Sequence, residues 1–275
     1  MRPMFVFLSA KLFGKFEENT YRAASMIELL HTATLVHDDV IDEANFRRGF
    51  FSINSIWKNK IAVLVGDFLL SRGLLLAVKN EEFELLKIMS TAVQDMSEGE
   101  LLQIEKARKL DITEEVYFDI IRQKTASLIA ACCASGANSV GQNKEVVERM
   151  RLFGEKAGIA FQIKDDLLDY SEDAAVIGKP VFQDLREGKV TYPFFFAYKN
   201  ADESEKIKLE SFLGKKNLNQ KNAFKLISKL DGIKETEMLA FKYIKEASKS
   251  ANLIEDKTIS KEMIELVNSA MHRKK

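Results

Sequence analysis

The chain has 275 residues, 46% of them hydrophobic and 30% charged, which is enough apolar material for a substantial core. Its 41 Lys+Arg balance 41 Asp+Glu, so the composition excludes a nucleic-acid binder recruited by net charge, and any cationic or anionic site must be local. With two cysteines, three prolines and thirteen glycines, there is neither a disulfide framework nor a frequent helix breaker.

The N-terminus lacks the basic region, apolar run and small-residue cleavage site of a signal peptide. From Tyr21 onward apolar residues recur at steps of three and four: Ile27, Leu30, Thr34 and Ile41 fall along one side, and Ala23 and Ala24 add small packing positions. The same period returns over 59–79, 81–106, 113–139 and 143–170, which predicts four further long helices. The apolar stretch Ile61 to Leu70 is broken by Gly66 and Asp67 and is too short to span a bilayer, so no stable membrane insertion is expected. Cys132 and Cys133 are adjacent within an apolar run and read as reduced core residues of a cytoplasmic protein. Between Ser171 and Pro193 the pattern lapses into a polar loop, residues 200–222 are polar and lysine-rich, and weaker amphipathic helices follow. Neither a convincing hairpin nor a solenoid repeat is visible. The expectation is an all-α chain forming one domain over residues 1–275.

Two acidic clusters stand out. Leu35-Val36-His37-Asp38-Asp39-Val40-Ile41-Asp42 closes the first long apolar helix, and Gln162-Ile163-Lys164-Asp165-Asp166-Leu167-Leu168-Asp169 closes a later one. Asp38 and Asp42, like Asp165 and Asp169, are four apart, so each pair shares a helical face and repels itself. Negative charge near a helix C-terminus also opposes the macrodipole. One such cluster reads equally well as a solvated helix end; two copies of Asp-Asp-x-x-Asp call for a cationic partner. Carboxylate oxygens suit magnesium, which binds through a few carboxylates together with waters and substrate phosphates. Arg47 and Arg48 follow the first cluster, and Lys179, Arg186 and Lys189 the second, as counter-charge for phosphate.

Rival metal centres fail on spacing. Glu28-x-x-His31 supplies half of a di-iron carboxylate pattern, but neither His37 nor His272 follows a Glu by three residues. No Cys/His pairs stand at zinc-ligand spacing.

Glu28 to Asp42 with Arg47-Arg48-Gly49 resembles the first aspartate-rich motif of the trans-polyprenyl diphosphate synthases, and Gly158 to Asp169 the second. Gly66-Asp67, Lys124-Thr125, Gly178-Lys179-Pro180 and Asp184 to Pro193 resemble further motifs of the family, in order and over nearly the whole chain. The resemblance implies a helical bundle around a central cavity that condenses isopentenyl diphosphate with an allylic diphosphate. Asp38, Asp39 and Asp42, with Asp165, Asp166 and Asp169, would hold up to three magnesium ions. Arg47, Lys124, Thr125, Gln162, Lys179 and Lys189 would grip the allylic diphosphate, and Arg2, His31 and Arg48 the isopentenyl diphosphate. The family usually forms homodimers. No nucleophile is required, consistent with the lack of a Ser/His/Asp or Cys/His constellation.

Chain length is read from the residues beneath the first cluster. Thr34 and Ala33 lie four and five before Asp38, about 6–7.5 Å along the helix, with Leu30 a turn deeper. Short-chain relatives carry a bulky aromatic there; the small residues here imply a product of six to eight isoprene units. The alternatives are a farnesyl or geranylgeranyl diphosphate synthase, and a non-catalytic regulatory subunit. A terpene cyclase is disfavoured by the wholly acidic second cluster. The chain opens Met1-Arg2-Pro3-Met4, so only the last Arg and Pro of the family's Gly-Lys-Arg-x-Arg-Pro segment are present, and a truncation is expected.

Overall fold

Helix forms wherever the three-and-four spacing runs uninterrupted, and the computed structural model describes residues 2–41, 46–47, 50–109, 113–170, 182–215, 217–252, 261 and 264–265. The chain is all-α, as expected. Its contacts gather into two compact units, Met1–Val93 with Ala131–Arg151, and Gln94–Ala130 with Leu152–Lys275.

The first unit is built on α1 (Arg2–Lys11), α2 (Glu18–Ile41) and α3 (Ile53–Lys79). Buried Ala62, Gly66, Gly73 and Ala77 form a small-residue stripe on α3 that lets α2 approach closely. A Cβ at Gly73 would sit 3.3 Å from Leu30 Cδ2. Ile27 and Leu30 are buried as the pattern requires, but Ile41 at the end of α2 is 57% exposed. Helix α1, which the sequence pattern does not single out, packs on residues 131–139, where Gly136 leaves room for the Val6 carbonyl; α2 meets the same stretch through the buried hydroxyls of Thr20 and Ser139, 2.9 Å apart. Cys132 and Cys133 are fully buried free thiols, and burial pushes Cys133 up to about 12.

Two findings differ from the sequence reading here. Residues 46–47 and 50–51 pair antiparallel as β1 (Phe46–Arg47) and β2 (Phe50–Phe51), with Phe46 opposite Phe51. Two-residue strands are too short for alternation to register. Gly66 and Asp67 also do not interrupt α3, which is 27 residues long and, by length and composition alone, apolar enough to cross a membrane; 22% of its most apolar window is buried. Its only backbone irregularity is Lys58, at φ 66° and ψ 165°, which sets the first turn off from the rest.

The second unit takes the end of α4 (Phe83–Lys109), then α5 (Glu114–Ile121), a π-helical turn over Arg122–Ala126, the start of α6 (Ser127–Ser139) and most of α7 (Lys144–Leu168). Thr113 caps α5 by accepting from Val116 N at 3.3 Å, with Glu114 and Glu115 favourably placed in the first turn. Beyond residue 182 come α8 (Gln183–Arg186), α9 (Tyr192–Asn200), α10 (Glu203–Glu210), α11 (Gln220–Lys229) and α12 (Gly232–Asn252). Pro193, expected to close a loop, instead sits in the first turn of α9, where a missing N–H breaks no helix bond. The lysine-rich stretch holds α10, fixed by the reciprocal Asp202/Glu205 capping box. Leu185, Phe194, Leu209 and Ile227 anchor the core of this part.

Candidate active site

The π turn carries Lys124 and Thr125, and two glycines make room for it. A Cβ on Gly99 of α4 would lie 2.8 Å from Lys124 N, and one on Gly158 of α7 would lie 2.5 Å from Ala126 Cα. Glycine at both positions lets neighbouring helices press against a backbone wider than an α-helix, an insertion that recurs at functional sites.

Beside this turn lies a cavity of about 180 Å³. Gln103, Tyr117, Lys124, Thr125, Gln162, Asp165, Asp166, Asp184, Lys189 and Thr191 supply its polar lining. A hydrogen-bond chain runs along it. Thr125 Oγ1 donates to Gln162 Oε1 at 2.7 Å, Gln162 Nε2 donates to Asp166 Oδ1 at 2.8 Å, and Tyr117 Oη donates to Asp166 Oδ2 at 2.7 Å. Asp166 is 3% exposed, and burial pushes its carboxyl up to about 7 against these two hydrogen bonds; Asp184 and Asp165 add to the rise. The same burial and the facing carboxylate hold the Tyr117 hydroxyl well above its ordinary range.

The cations of the cavity are held by carboxylates. Lys124 Nζ donates to Gln103 Oε1 at 2.7 Å and is ion-paired with Glu100; Lys189 Nζ is 2.7 Å from Glu187 Oε2. Asp169, expected among the metal ligands, also has a structural task. Asp169 N still donates to the Asp165 carbonyl at 3.3 Å at the end of α7, and its two side-chain oxygens accept from Gln183 N at 2.9 Å and Asp184 N at 3.2 Å. It thereby fixes α8 and the segment carrying Asp184 and Lys189.

In the first unit, Asp38 and Asp39 occupy the last turn of α2, with Asp39 buried. Arg2 Nε donates to Glu28 Oε1 at 3.3 Å, placing it one helical turn from His31 in sequence along α2. Ala33 is 2% exposed, and the Thr34 hydroxyl donates to the His31 carbonyl at 2.9 Å. Asp42, Arg48 and Lys179 lie outside the described residues, and for Arg47 only the strand backbone is described.

Residues 1–230 match the family described as Polyprenyl synthetase. The chain belongs to that family. An all-trans-nonaprenyl-diphosphate synthase (geranyl-diphosphate specific) of Rhodobacter capsulatus is 43% identical over 73% of this chain, a match spanning 62% of that relative's length. A geranylgeranyl diphosphate synthase of Sulfolobus acidocaldarius is 36% identical over 94% of this chain and 81% of its own. Among solved structures, a polyprenyl synthase from Caulobacter crescentus complexed with calcium and isoprenyl diphosphate has a TM-score of 0.90, is 33% identical, and is covered over 84% of its length by all of this chain.

For the polyprenyl synthetase chain, the donor set decides how a metal fits. Among the described residues no group of three or more His, Cys, Asp or Glu is arranged to hold a metal alone. What the cavity offers is carboxylates facing lysines, and in Asp166 a carboxyl that burial leaves short of positive potential. That arrangement fits magnesium bound partly by substrate phosphates. Tyr117, Gln103, Glu100, Asp184, Glu187 and Thr191 are polar residues of the site to which the sequence alone assigned no role. Asp184 stood at the head of one of the family motifs, but only the fold brings it close to Asp166.

Proposed function

We propose that the chain is a trans-prenyltransferase that condenses isopentenyl diphosphate with an allylic diphosphate. The observation that carries this reading is the cavity that sets Asp165, Asp166 and Asp184 against Lys124 and Lys189, in a chain of the polyprenyl synthetase family. The bound calcium and isoprenyl diphosphate named for the Caulobacter neighbour support the same ligand chemistry. Asp38, Asp39 and Asp42, and Asp165, Asp166 and Asp169, would hold magnesium, which would supply electrophilic stabilisation of the departing diphosphate. Lys124 and Lys189 exchange their glutamate partners for diphosphate oxygens, so positive charge meets the leaving group as the allylic C–O bond breaks. Thr125 and Gln162 orient the same group and hold Asp166 in place. The isopentenyl double bond attacks the allylic cation, the resulting cation loses a proton to the departed diphosphate, and Arg2, His31 and Arg48 grip the isopentenyl diphosphate.

The product is proposed to have six to eight isoprene units, supported by the small side chains of Ala33 and Thr34; the Sulfolobus relative favours geranylgeranyl diphosphate as the second reading. The two units are proposed to serve one reaction as a single synthase domain in the cytoplasm. A homodimer is part of the proposal. Beyond the irregularity at Lys58, residues Ile61, Leu64, Phe68, Leu75 and Val78 are all exposed on α3 and follow a three-four alternation, the pattern that selects a second helix as its cover. Incubation of the purified protein with magnesium, farnesyl diphosphate and labelled isopentenyl diphosphate tests the reading. Extended prenyl chains are expected; no extension by the chain or by a version carrying an added Gly-Lys-Arg leader would sink it.

A further inference from the structure

Gly66, Asp67 and His37 take no part in the chemistry above, yet they meet at the end of the helix that carries the first aspartate cluster. We infer that His37 and Asn54 are positioning residues, tying the last turn of α2 to α3 so that Asp38 and Asp39 are set before a metal arrives. The inference rests on reading that cluster as metal-binding.

The first tether is Asn54 in the opening turn of α3, whose Nδ2 donates to the Asp39 carbonyl at 3.0 Å. Asp39 is two residues from the end of α2, where carbonyls have run out of helical N–H partners. Among the described residues, the buried Asn54 Oδ1 has no hydrogen-bond partner, so there the amide contributes through its donor and leaves an acceptor unsatisfied. The second tether is His37 Nε2, 3.2 Å from the Val63 carbonyl and 3.4 Å from Asp67 Oδ1. A carbonyl only accepts, so Nε2 carries the proton. The ring occupies the space a Cβ at position 66 would need, which gives Gly66 a reason to be glycine. His37 directly precedes Asp38, and Asn54 holds the residue after it.

A helix end loaded with carboxylates needs such fixing. The macrodipole disfavours negative charge at a C-terminus, and terminal turns fray. Ordering the turn in the free protein removes that ordering from the work of metal and substrate binding.

The test uses the full chain with His37→Leu, His37→Gln and Asn54→Leu. Three quantities are read: hydrogen exchange of the amides at 36–41 without magnesium, the magnesium dependence of binding an unreactive allylic thiolodiphosphate, and the melting temperature. In His37→Leu and Asn54→Leu, exchange should quicken and half-saturating magnesium rise, each by about tenfold. His37→Gln, whose amide can still donate to Val63, should stay near wild type. Asn54→Leu should melt no lower than wild type, because it also removes a buried unsatisfied oxygen; a merely structural asparagine would lower it. Unchanged exchange, unchanged magnesium dependence, or equal behaviour of Leu and Gln at position 37 would overturn the inference. Wild-type protein that binds no thiolodiphosphate with magnesium would instead overturn the proposed function, while the exchange comparison would still judge the tethers.

Discussion

Asp166 concentrates the electrostatics of the cavity in one carboxyl. Burial lifts it to about 7, far above an aspartate in an unfolded chain. The folded protein therefore binds more protons than the unfolded one between roughly pH 4 and pH 7. Stability from this group is fully present below the unfolded value and is lost as pH rises through the folded one. Metal-free protein should melt progressively lower from pH 5 to pH 7.5, and Asp166→Asn should flatten that slope; equal slopes would count against burial as the cause. The aspartates themselves were legible because Asp-Asp-x-x-Asp at a helix end is an unfavourable arrangement that stands out from its surroundings. Tyr117 was not, because an ordinary tyrosine acquires its part only by meeting a carboxylate 49 positions away. Asp169 has a second part that its spacing from Asp165 did not show, since its carboxylate also accepts from Gln183 N and Asp184 N, fourteen and fifteen positions away.

At the scale of elements, the π turn is the part most dependent on its neighbours. Gly99→Ala would drive a methyl into Lys124 N and the Gln123 side chain, so overpacking should destabilise the chain by about 1–3 kcal/mol. The same substitution should raise KM for the allylic diphosphate by displacing Lys124; a melting curve and a substrate titration read the two effects. Long helices were legible over most of their length from spacing alone. The extra residue of the π turn leaves no mark in that spacing, and the short ladder between α2 and α3 is too brief to carry one. Helix α1 was missed because a ten-residue segment with buried positions at Phe5, Val6, Ser9 and Ala10 gives only two turns of pattern.

At the scale of the whole molecule, the exposed seam on α3 and the floor beneath the first cluster make separate predictions. Replacing both Leu64 and Phe68 by Glu should halve the sedimenting mass, by placing unpaired charge at the centre of a helix pair; an unchanged mass would remove α3 from the dimer contact. Thr34→Phe should shorten the product ladder read by chromatography, and an identical ladder would remove position 34 from the tunnel. The family and the all-α class were legible from the motifs and the absence of breakers. The grouping of the chain into two compact units was not, since both units draw on segments far apart in sequence.

The irregularity at Lys58 opens a practical route to a hardier protein. Its backbone lies in a region that is essentially glycine's alone, at an expense of about 1–3 kcal/mol for a lysine. Glycine would relieve that strain and return part of the gain as extra freedom of the unfolded chain, about 0.5–1 kcal/mol. Lys58→Gly should therefore raise the melting temperature by a few degrees without touching the cavity, giving a thermostable background in which weakened site variants can still be purified and assayed.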